Sequence, residues 1–359
     1  MNPDLSNLAA YGGDYSQTLL KKLYFALTLE AAGISVWPGL KSKVTLHKLL
    51  VKKGLKPYSG TFKSKDGDVS FQPRALEVEK AQRDLSIEPS KYIGTFMEKN
   101  RGKGEGADNM TIPFAQTTWE TVMEEVAHEI VTESIYWGAG IAAFAAFNGA
   151  STYAIGDLVK YTQDGELRYF RAIAATSAGQ TPDTHPAKWE WAGARAVCKG
   201  FKAILDEAET SGELPASQIV STGAITNTTA YAQYLSVYRK MPEQIKSKGG
   251  CVILSSINSH EALLDDYENK ISKNFETIDG ITYLAKTDKK CQVKPVDWLS
   301  GSGKLIATPG SNFWMGTDQT SDMNNMKIIE QMYHLDAGLT FMLGFQIADL
   351  DVIVTNDQD

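Results

Sequence analysis

Cysteine is scarce in this chain. Only three of its 359 residues are cysteines, Cys198, Cys251 and Cys291. They are too few and too far apart in the sequence to form a disulfide framework or a CxxC metal site. We therefore interpret them as free thiols of a protein that folds in a reducing cytosol.

Long hydrophobic runs are also lacking. The most apolar stretch, residues 138–150, is shorter than the roughly 18–20 residues that cross a bilayer. The first residues show no basic stretch followed by an apolar one, so the sequence indicates no secretory signal. We expect no membrane partner, and we expect the chain to fold in the cytoplasm.

An excess of basic charge is absent as well. The chain has 36 lysines and arginines against 43 aspartates and glutamates, which gives a formal net charge of -7. A dedicated nucleic-acid reader carries a basic footprint, and this composition does not supply one. Sequence-specific recognition of DNA is therefore not expected.

Complete catalytic motifs are not found either. His128 and Glu129 begin a zinc-protease pattern, but Thr132 stands where that pattern requires its second histidine. The stretch GSGK at 301–304 is followed by Leu305, whereas a phosphate-binding loop needs serine or threonine there to bind magnesium. We predict no enzymatic activity, no metal and no cofactor.

The residues that are present indicate a globular α+β protein. Hydrophobic residues make up 43% of the chain and charged residues 22%, and helical patterns alternate with strand patterns. An amphipathic spine helix is predicted from Phe114 to Trp137, after Pro113. Further helices are predicted at 15–33, 194–211 and 324–337, through Tyr231, Leu235 and Tyr238, and over 260–270 after a Ser259 N-cap. Strands are predicted within 251–256, 274–287, 303–318 and 344–357.

A long projecting β-hairpin is predicted near the N-terminus. The stretch PYSGTFKSKDGDVSFQPRALEVE (57–79) combines Ser-Gly and Asp-Gly pairs with alternating Val69, Phe71 and Leu76. Such a hairpin is marginal when it is left free in water, so we expect it to lie on a partner. We also expect a deletion between Lys43 and Pro89 to spare the core and to stop assembly.

The hairpin region is locally basic. Eight lysines and no acidic residue lie between Lys41 and Lys65. They are either a solvated surface or a clasp that lies across an acidic neighbouring subunit, where complementary charge sets the register. The residues assigned to this clasp are Lys52, Lys53, Lys56, Lys63 and Lys65.

Residues 151–193 form a compact aromatic-rich insertion between two helical segments. Tyr153, Ile155, Val159 and Tyr161 alternate, and Asp164–Gly165 supplies a turn. The pattern predicts a three-stranded sheet with Trp189 in its own small core. An insertion whose ends join two helices is typical of a domain placed at an exposed turn.

The order of these elements resembles the major capsid protein of tailed bacteriophages, with the HK-ninety-seven-type fold. The phrases PYSGTF and FQPRALEV also resemble capsid proteins of phages that infect Bacteroidetes-type hosts. The resemblance covers nearly all of the chain outside 150–194. It implies an N-terminal arm and helix (1–40), an extended loop hairpin (41–95), a peripheral domain with the spine helix (96–149), an inserted β module (150–194), an axial domain (195–320) and a closing helix and strand of the peripheral domain (321–359).

This resemblance implies a structural function. Many copies would assemble in the host cytoplasm into pentamers and hexamers of an icosahedral shell, the virion capsid, around double-stranded DNA that is held without sequence-specific contact. Portal and scaffolding or head proteins would be its partners. An encapsulin-like compartment shell and a soluble glycan-binding protein are the alternatives.

The insertion resembles a small chitin-type carbohydrate-binding module, on its Y-x-x-G-D-x-V-x-Y phrase at 153–161 and its W-E phrase at 189–190. The resemblance implies a surface glycan as partner, with Tyr161, Tyr169 and Trp191 as stacking residues. The chain departs from that family at Ala174 and Ala175, where a ring-stacking tryptophan is expected. Glycan binding and plain decoration of the outer surface both stay open.

Overall fold

The computed structural model describes residues 29, 33–51, 57, 58, 60, 69–88, 112–271, 276–278, 281–318, 326–331 and 334–359. Of the predicted helix at 15–33, only residues 29 and 33 are among the described residues. The strands in chain order are β1 (Ile34–Trp37), β2 (Lys43–Val51), β3 (Val69–Glu77), β4 (Glu79–Ile87), β5 (Ala145–Ala146), β6 (Leu158–Gln163), β7 (Glu166–Ala172), β8 (Trp189–Trp191), β9 (Ile219–Val220), β10 (Cys251–Ser255), β11 (Glu276–Ile278), β12 (Ile281–Tyr283), β13 (Cys291–Pro295), β14 (Ile306–Pro309), β15 (Phe313–Thr317), β16 (Met326–Glu330), β17 (Leu335–Ile347) and β18 (Val354–Asn356). The helices are α1 (Ile112–Glu129), α2 (Gly193–Val197), α3 (Phe201–Ser211), α4 (Ala230–Lys240), α5 (Glu243–Lys248) and α6 (Ile257–Ile271).

The fold is α+β, as the sequence predicts, with two main sheets. The first sheet is organised around β17, which pairs with β4 along one edge and with β16 and β15 along the other; β1 joins β15. Helices α1 and α3 pack on it in the first hydrophobic core, with Trp119, Phe201 and Phe313 fully buried. The base of the β2–β3 hairpin also packs against this sheet.

The predicted helix at 324–337 is wrong. The described residues of that stretch form β16 and the start of β17 instead. From Leu335 onward, buried and half-buried residues alternate, with Leu335, Ala337, Leu339 and Phe341 all turned into the core. A period of two is typical of a strand with one face on the core. The long pairing of β17 with β4 decides the structure here, although the short apolar run in β16 favoured a helix in the sequence.

The second sheet has the strand order β11-β12-β13-β10-β14-β18-β9. Helices α4 and α6 cover it, and Tyr234, Leu263 and Ile253 are buried in this second core. The strands predicted in 251–256 and 274–287 are confirmed. Strands β14 and β15 do not form a hairpin, because β14 lies in the second sheet and β15 in the first.

Each of the two cores combines segments that are far apart in the chain. Phe201 of α3 and Phe313 of β15 pack in the first core, whereas Cys251 of β10, which lies between them in the sequence, packs in the second. The closing strand β18 pairs with β14 and β9 in the second sheet. The chain therefore crosses between the two cores several times after the insertion.

The spine helix is confirmed. Helix α1 runs from Ile112 to Glu129 and continues as a π-helical turn through Ile130–Ser134. Met123, Val126 and Ile130 share its buried face. Spacings of three and four residues give a helix one apolar stripe, and this stripe lies on the first core.

Two predicted helix details are corrected. The helix expected over 194–211 is broken between α2 and α3, at residues 198–200. Helix α6 begins at Ile257, and the N–H of Ser259 donates to Oγ of Ser256 at 3.3 Å, so Ser256 and not Ser259 is its N-cap.

Candidate assembly surfaces

The hairpin stem is formed by β2 and β3, as predicted. They pair antiparallel over nine residues, from Lys43 opposite Glu77 to Val51 opposite Val69. No third described strand pairs with either of them. The clasp residues Lys52, Lys53, Lys56, Lys63 and Lys65 lie outside the described residues. Beyond the stem, Tyr58 is 98% exposed, and Val51 at its end is 67% exposed.

A small hydrophobic cluster fixes the base of the stem. Leu40, Leu76 and Val78 are buried there and pack with Trp314 and Met342. The N–H of Val78 donates to the carbonyl of Ser42 at 2.9 Å, at the point where β3 bends into β4. The stem therefore leaves the first sheet from a packed root.

Two glycines let the hairpin cross the sheet closely. A Cβ added at Gly344 of β17 would lie 1.9 Å from the carbonyl oxygen of Glu77. One added at Gly316 of β15 would lie 2.8 Å from Val78 and 2.9 Å from Leu40. Any side chain at Gly344 would therefore push the hairpin root off the sheet.

Ion pairs hold the stem on the body. The Lys48 Nζ lies 2.5 Å from Asp349 Oδ1 and 2.6 Å from Asp351 Oδ2. Burial alone would lower the pKa of Lys48, but the hydrogen bonds and charges of the two carboxylates outweigh it and raise that pKa. Lys48 is thus held charged at the junction of stem and body.

The opposite strand of the stem is held by a second set of polar contacts. Arg74 Nη1 lies 2.8 Å from Glu213 Oε2, in the loop after α3. Gln346 Nε2 donates to the carbonyl of Ala75 at 2.7 Å. Both strands of the stem are therefore tied to the body between its base at Lys43 and the Lys48–Gln72 pair, while no such contact is found at the end of the stem near Val51 among the described residues.

The insertion is rooted where the π-helical turn meets the segment between α2 and α3. The N–H of Gly200 donates to the carbonyl of Gly138 at 2.8 Å. The N–H groups of Ala139 and Gly140 both donate to the backbone carbonyl of Arg195. A Cβ at Gly138 or Gly200 would lie 2.5–2.6 Å from the carbonyl of Ser134. Only glycine allows the two crossing segments to approach so closely.

A buried arginine ties the same root together. Arg195 is buried, and its Nε donates to the carboxylate of Glu133 on the π-helical turn. Its guanidinium lies 5.3 Å from the centre of the Trp137 ring. The Trp137 Nε1 donates to the carbonyl of Ser300 at 3.1 Å. The insertion therefore joins the body through a rigid base.

The insertion itself is a small β-sheet in the order β5-β6-β7-β8. The strand through Val159 and Tyr161 and the turn at Asp164–Gly165 are confirmed, whereas Tyr153 and Ile155 are not in a strand, and the sheet has four strands where three were predicted. Trp189 is buried in a core of its own with Val159, Phe170 and Ala172, as predicted. The sheet reaches back to Ala145, which pairs with Val159.

The structure does not bring the three predicted glycan contacts onto one face. Val159, Phe170 and Trp191 are cross-strand neighbours and share a face with Tyr161. Tyr169 points to the opposite face, where its ring packs on Phe144 with centroids 5.2 Å apart. Tyr161 and Trp191 therefore share a face, and Tyr169 is part of the packing beneath the insertion.

Trp191 and Tyr161 differ in their environment. Trp191 is 54% exposed and lies over Gly193, where a Cβ would be 2.8 Å from the indole. Tyr161 donates its hydroxyl to Asp183 at 2.7 Å, and this hydrogen bond raises the pKa of the tyrosine. Trp191 thus presents indole surface in a fixed position.

The described residues contain no group of three or more histidines, cysteines and acidic residues that could hold a metal ion. His128 is exposed on α1, and the 301–304 stretch is a loop before β14. No helix among the described residues has the length and hydropathy of a membrane span.

The groove between the insertion and the hairpin root has a volume of about 1630 Å³ and is open to solvent. It is wider than a small-molecule pocket of roughly 300–1,000 Å³.

The residues that fix the hairpin root were not found from the sequence. Lys48 and Asp349 are 301 positions apart, so no local pattern could pair them. Gly344 did carry a signal, because a glycine inside a strand often marks the close approach of another backbone. The signal was missed because the sequence predicted a helix at 324–337 and a strand only within 344–357, so Gly344 stood at the start of the predicted strand and not inside it.

Comparison with known proteins gives structural likeness only. The chain matches no family model and no curated protein. A chain of the satellite phage P4 procapsid that includes the size determination protein is 10% identical, with 95% of this chain and 90% of that chain covered and a TM-score of 0.49. A chain of the capsid of Myoviridae phage XM1 is 10% identical, with coverages of 92% and 91% and a TM-score of 0.42. A chain of the holo-encapsulin complex from Synechococcus elongatus is 8% identical, with coverages of 90% and 84% and a TM-score of 0.42.

Proposed function

We propose that the chain is the repeating subunit of a closed protein shell, the major capsid protein of a tailed phage with the HK-ninety-seven-type fold. The observation that carries this proposal is the β2–β3 stem. It is fixed at its root by a hydrophobic cluster and ion pairs, yet it pairs with no third strand of its own described chain. A two-stranded ribbon of this kind is marginal alone and gains stability by lying on another surface.

A second copy of the chain is the partner that fits the stem. The hairpin region carries eight lysines between Lys41 and Lys65, while the chain as a whole has a net charge of -7. Complementary charge favours a basic tip on an acidic neighbour and sets its orientation. When each subunit reaches to the next, the contacts are head-to-tail, and such contacts form rings when the rotation from one subunit to the next closes.

The remaining partners follow from the capsid proposal. The rings are pentamers and hexamers, which form an icosahedral virion shell in the host cytoplasm with scaffolding or head proteins and a portal. An acidic subunit suits a shell that encloses double-stranded DNA without binding its phosphates tightly. The shell role is structural, without catalysis. An encapsulin-like compartment would instead contain a cargo protein and no packaged genome.

The test replaces the residues between Val51 and Val69 by a short Gly-Ser turn. We expect the variant to fold with a melting temperature within about 3 °C of the full chain, because the root contacts stay, and to form no shells. The deletion between Lys43 and Pro89 is not suitable. It would remove β4, which pairs with β17 over nine residues in the first sheet.

A second variant tests the positive charge of the hairpin separately from its length. It keeps the hairpin length and changes Lys52, Lys53, Lys56, Lys63 and Lys65 to serine, and we expect slower assembly with a weaker dependence on salt. Light scattering and electron microscopy measure particle formation for both variants. Closed shells from the turn variant at wild-type yield would contradict the clasp.

For the insertion, the exposed indole of Trp191 favours a surface that contacts glycan by ring stacking. Trp191→Ala is expected to reduce retention on immobilised chitin oligosaccharides about tenfold or more, with Tyr161→Phe having a smaller effect. Leu167→Ala is the matched control, since Leu167 is half exposed on the opposite face. Equal retention of all variants, or none for the wild type, would leave the insertion as surface decoration only.

A further inference from the structure

Two of the three cysteines face each other across the second sheet. Strands β10 and β13 are adjacent and parallel, and Cys251 and Cys291 are register partners at their first positions. The two Sγ atoms are 3.5 Å apart. Cys198 lies in the first core, so it belongs to a different part of the molecule.

The geometry is suitable for a disulfide bond. Neighbouring strands lie about 4.8 Å apart, within the roughly 4.4–6.8 Å that separate the Cα atoms of bonded cysteines. A disulfide requires the sulfurs to approach to about 2.05 Å. Side-chain rotation supplies this movement, since the backbones are already at the required separation.

The surroundings of the two thiols slow their oxidation. Cys251 is 1% exposed and Cys291 is not exposed at all. The contact with Cys251, together with burial, raises the pKa of the Cys291 thiol. Because the thiolate is the reactive form, the folded pair reacts slowly and only with small reagents or during local opening.

We infer that Cys251 and Cys291 form a modification site that an oxidising medium closes into an intramolecular disulfide. A low-molecular-weight disulfide is the co-reactant. One thiol loses its proton, and its thiolate attacks the reagent and releases one small thiol. The second thiol then displaces the remaining reagent half as another small thiol. One reagent S–S bond and two protein S–H bonds become one protein S–S bond and two reagent S–H bonds.

The bond would link the start of β10 to the start of β13. It encloses the 39 residues between Cys251 and Cys291, which include α6 and the β11–β12 hairpin. Closing a loop of this length restricts the unfolded chain and stabilises the fold. The inference goes beyond shell formation and does not depend on it, because the pair lies within one subunit.

The test equilibrates the full chain with reduced and oxidised glutathione, starting from the reduced and from the oxidised protein. Free thiols are then alkylated under denaturing conditions, and the digest is analysed by mass spectrometry. We expect a Cys251–Cys291 linked peptide. Its ratio of oxidised to reduced form should be about 100-fold or more above that of the urea-denatured chain. The melting temperature should rise by ~5 °C and fall back with dithiothreitol.

Matched variants identify the pair. Cys198→Ser should behave as the wild type, whereas Cys291→Ser should show no linked peptide and no thermal shift with oxidant. Because a buried serine hydroxyl can itself destabilise the fold, Cys251→Ala provides a second test of the same pair. The inference is overturned if the folded wild type keeps both thiols, if it carries only glutathione adducts, or if its linkage is no more favourable than in urea.

Discussion

At the scale of residues, three glycines and one lysine decide where the projecting parts of the molecule sit. Gly138 and Gly200 permit the close crossing at the root of the insertion, and Gly344 permits the crossing at the root of the hairpin. None of the three has a left-handed backbone conformation. Their requirement is for space, so even alanine is too large.

Gly344→Ala is expected to lower the free energy of unfolding by about 3 kcal/mol, because the new methyl group would overlap the carbonyl of Glu77. Urea denaturation measures the change. Gly338→Ala is the matched control, since it lies on the same strand β17 and its nearest neighbour would be at 3.6 Å. Similar losses in the two variants would contradict the close crossing.

Lys48 gives a prediction for pH. Its pKa is raised in the folded chain, so its contribution to stability is present below about pH 10.4, the ordinary lysine value, and is lost as the pH rises through the folded pKa. We expect Lys48→Met to cost at most about 1 kcal/mol at pH 8, because solvent screens these partly exposed pairs.

The difference between Lys48→Met and the wild type should shrink as the pH rises from 8 through the raised pKa of Lys48. Thermal unfolding over a series of pH values measures it, with Lys43→Met on the exposed side of the same strand as control. A difference that persists undiminished at high pH would show that Lys48 acts through packing and not through its charge.

At the scale of elements, the sequence predicted those parts whose pattern is local. The spine helix, the strands of the β2–β3 hairpin and the strands around Trp189 each show their period within a single element, and all three are confirmed. The helix at 324–337 failed because β17 is defined by its long pairing with β4, about 250 residues earlier in the chain. The faces of Tyr161 and Tyr169 likewise depend on strand register, which alternation alone did not fix.

The insertion should be separable from the body. Residues 141–192 replaced by a short Gly-Ser linker should leave both main cores folded, since Gly138, Arg195 and Gly200 keep their contacts. We expect a melting temperature lower by no more than about 5 °C and unchanged particle formation. Near-ultraviolet circular dichroism and calorimetry measure this, and cooperative loss of the first core would contradict it.

At the scale of the whole molecule, two hydrophobic cores form a body from which one hairpin and one insertion emerge. Both roots are rigid, with buried side chains, hydrogen bonds and glycine crossings. The two projecting parts therefore differ. The insertion has a hydrophobic core of its own, whereas each strand of the stem pairs only with the other among the described residues, and the end of the stem is exposed. A subunit of this design is suited to assembly through the hairpin.

The most direct test of this account is the size and form of the particles that the full chain makes. The chain is produced alone and with the proteins encoded beside it, and light scattering and electron cryomicroscopy are applied to both preparations. We predict closed shells built from rings of five and six subunits, with the hairpin of each subunit on its neighbour and the insertion on the outside. A chain that stays monomeric in both preparations, with a folded body and an intact hairpin, would contradict the central claim.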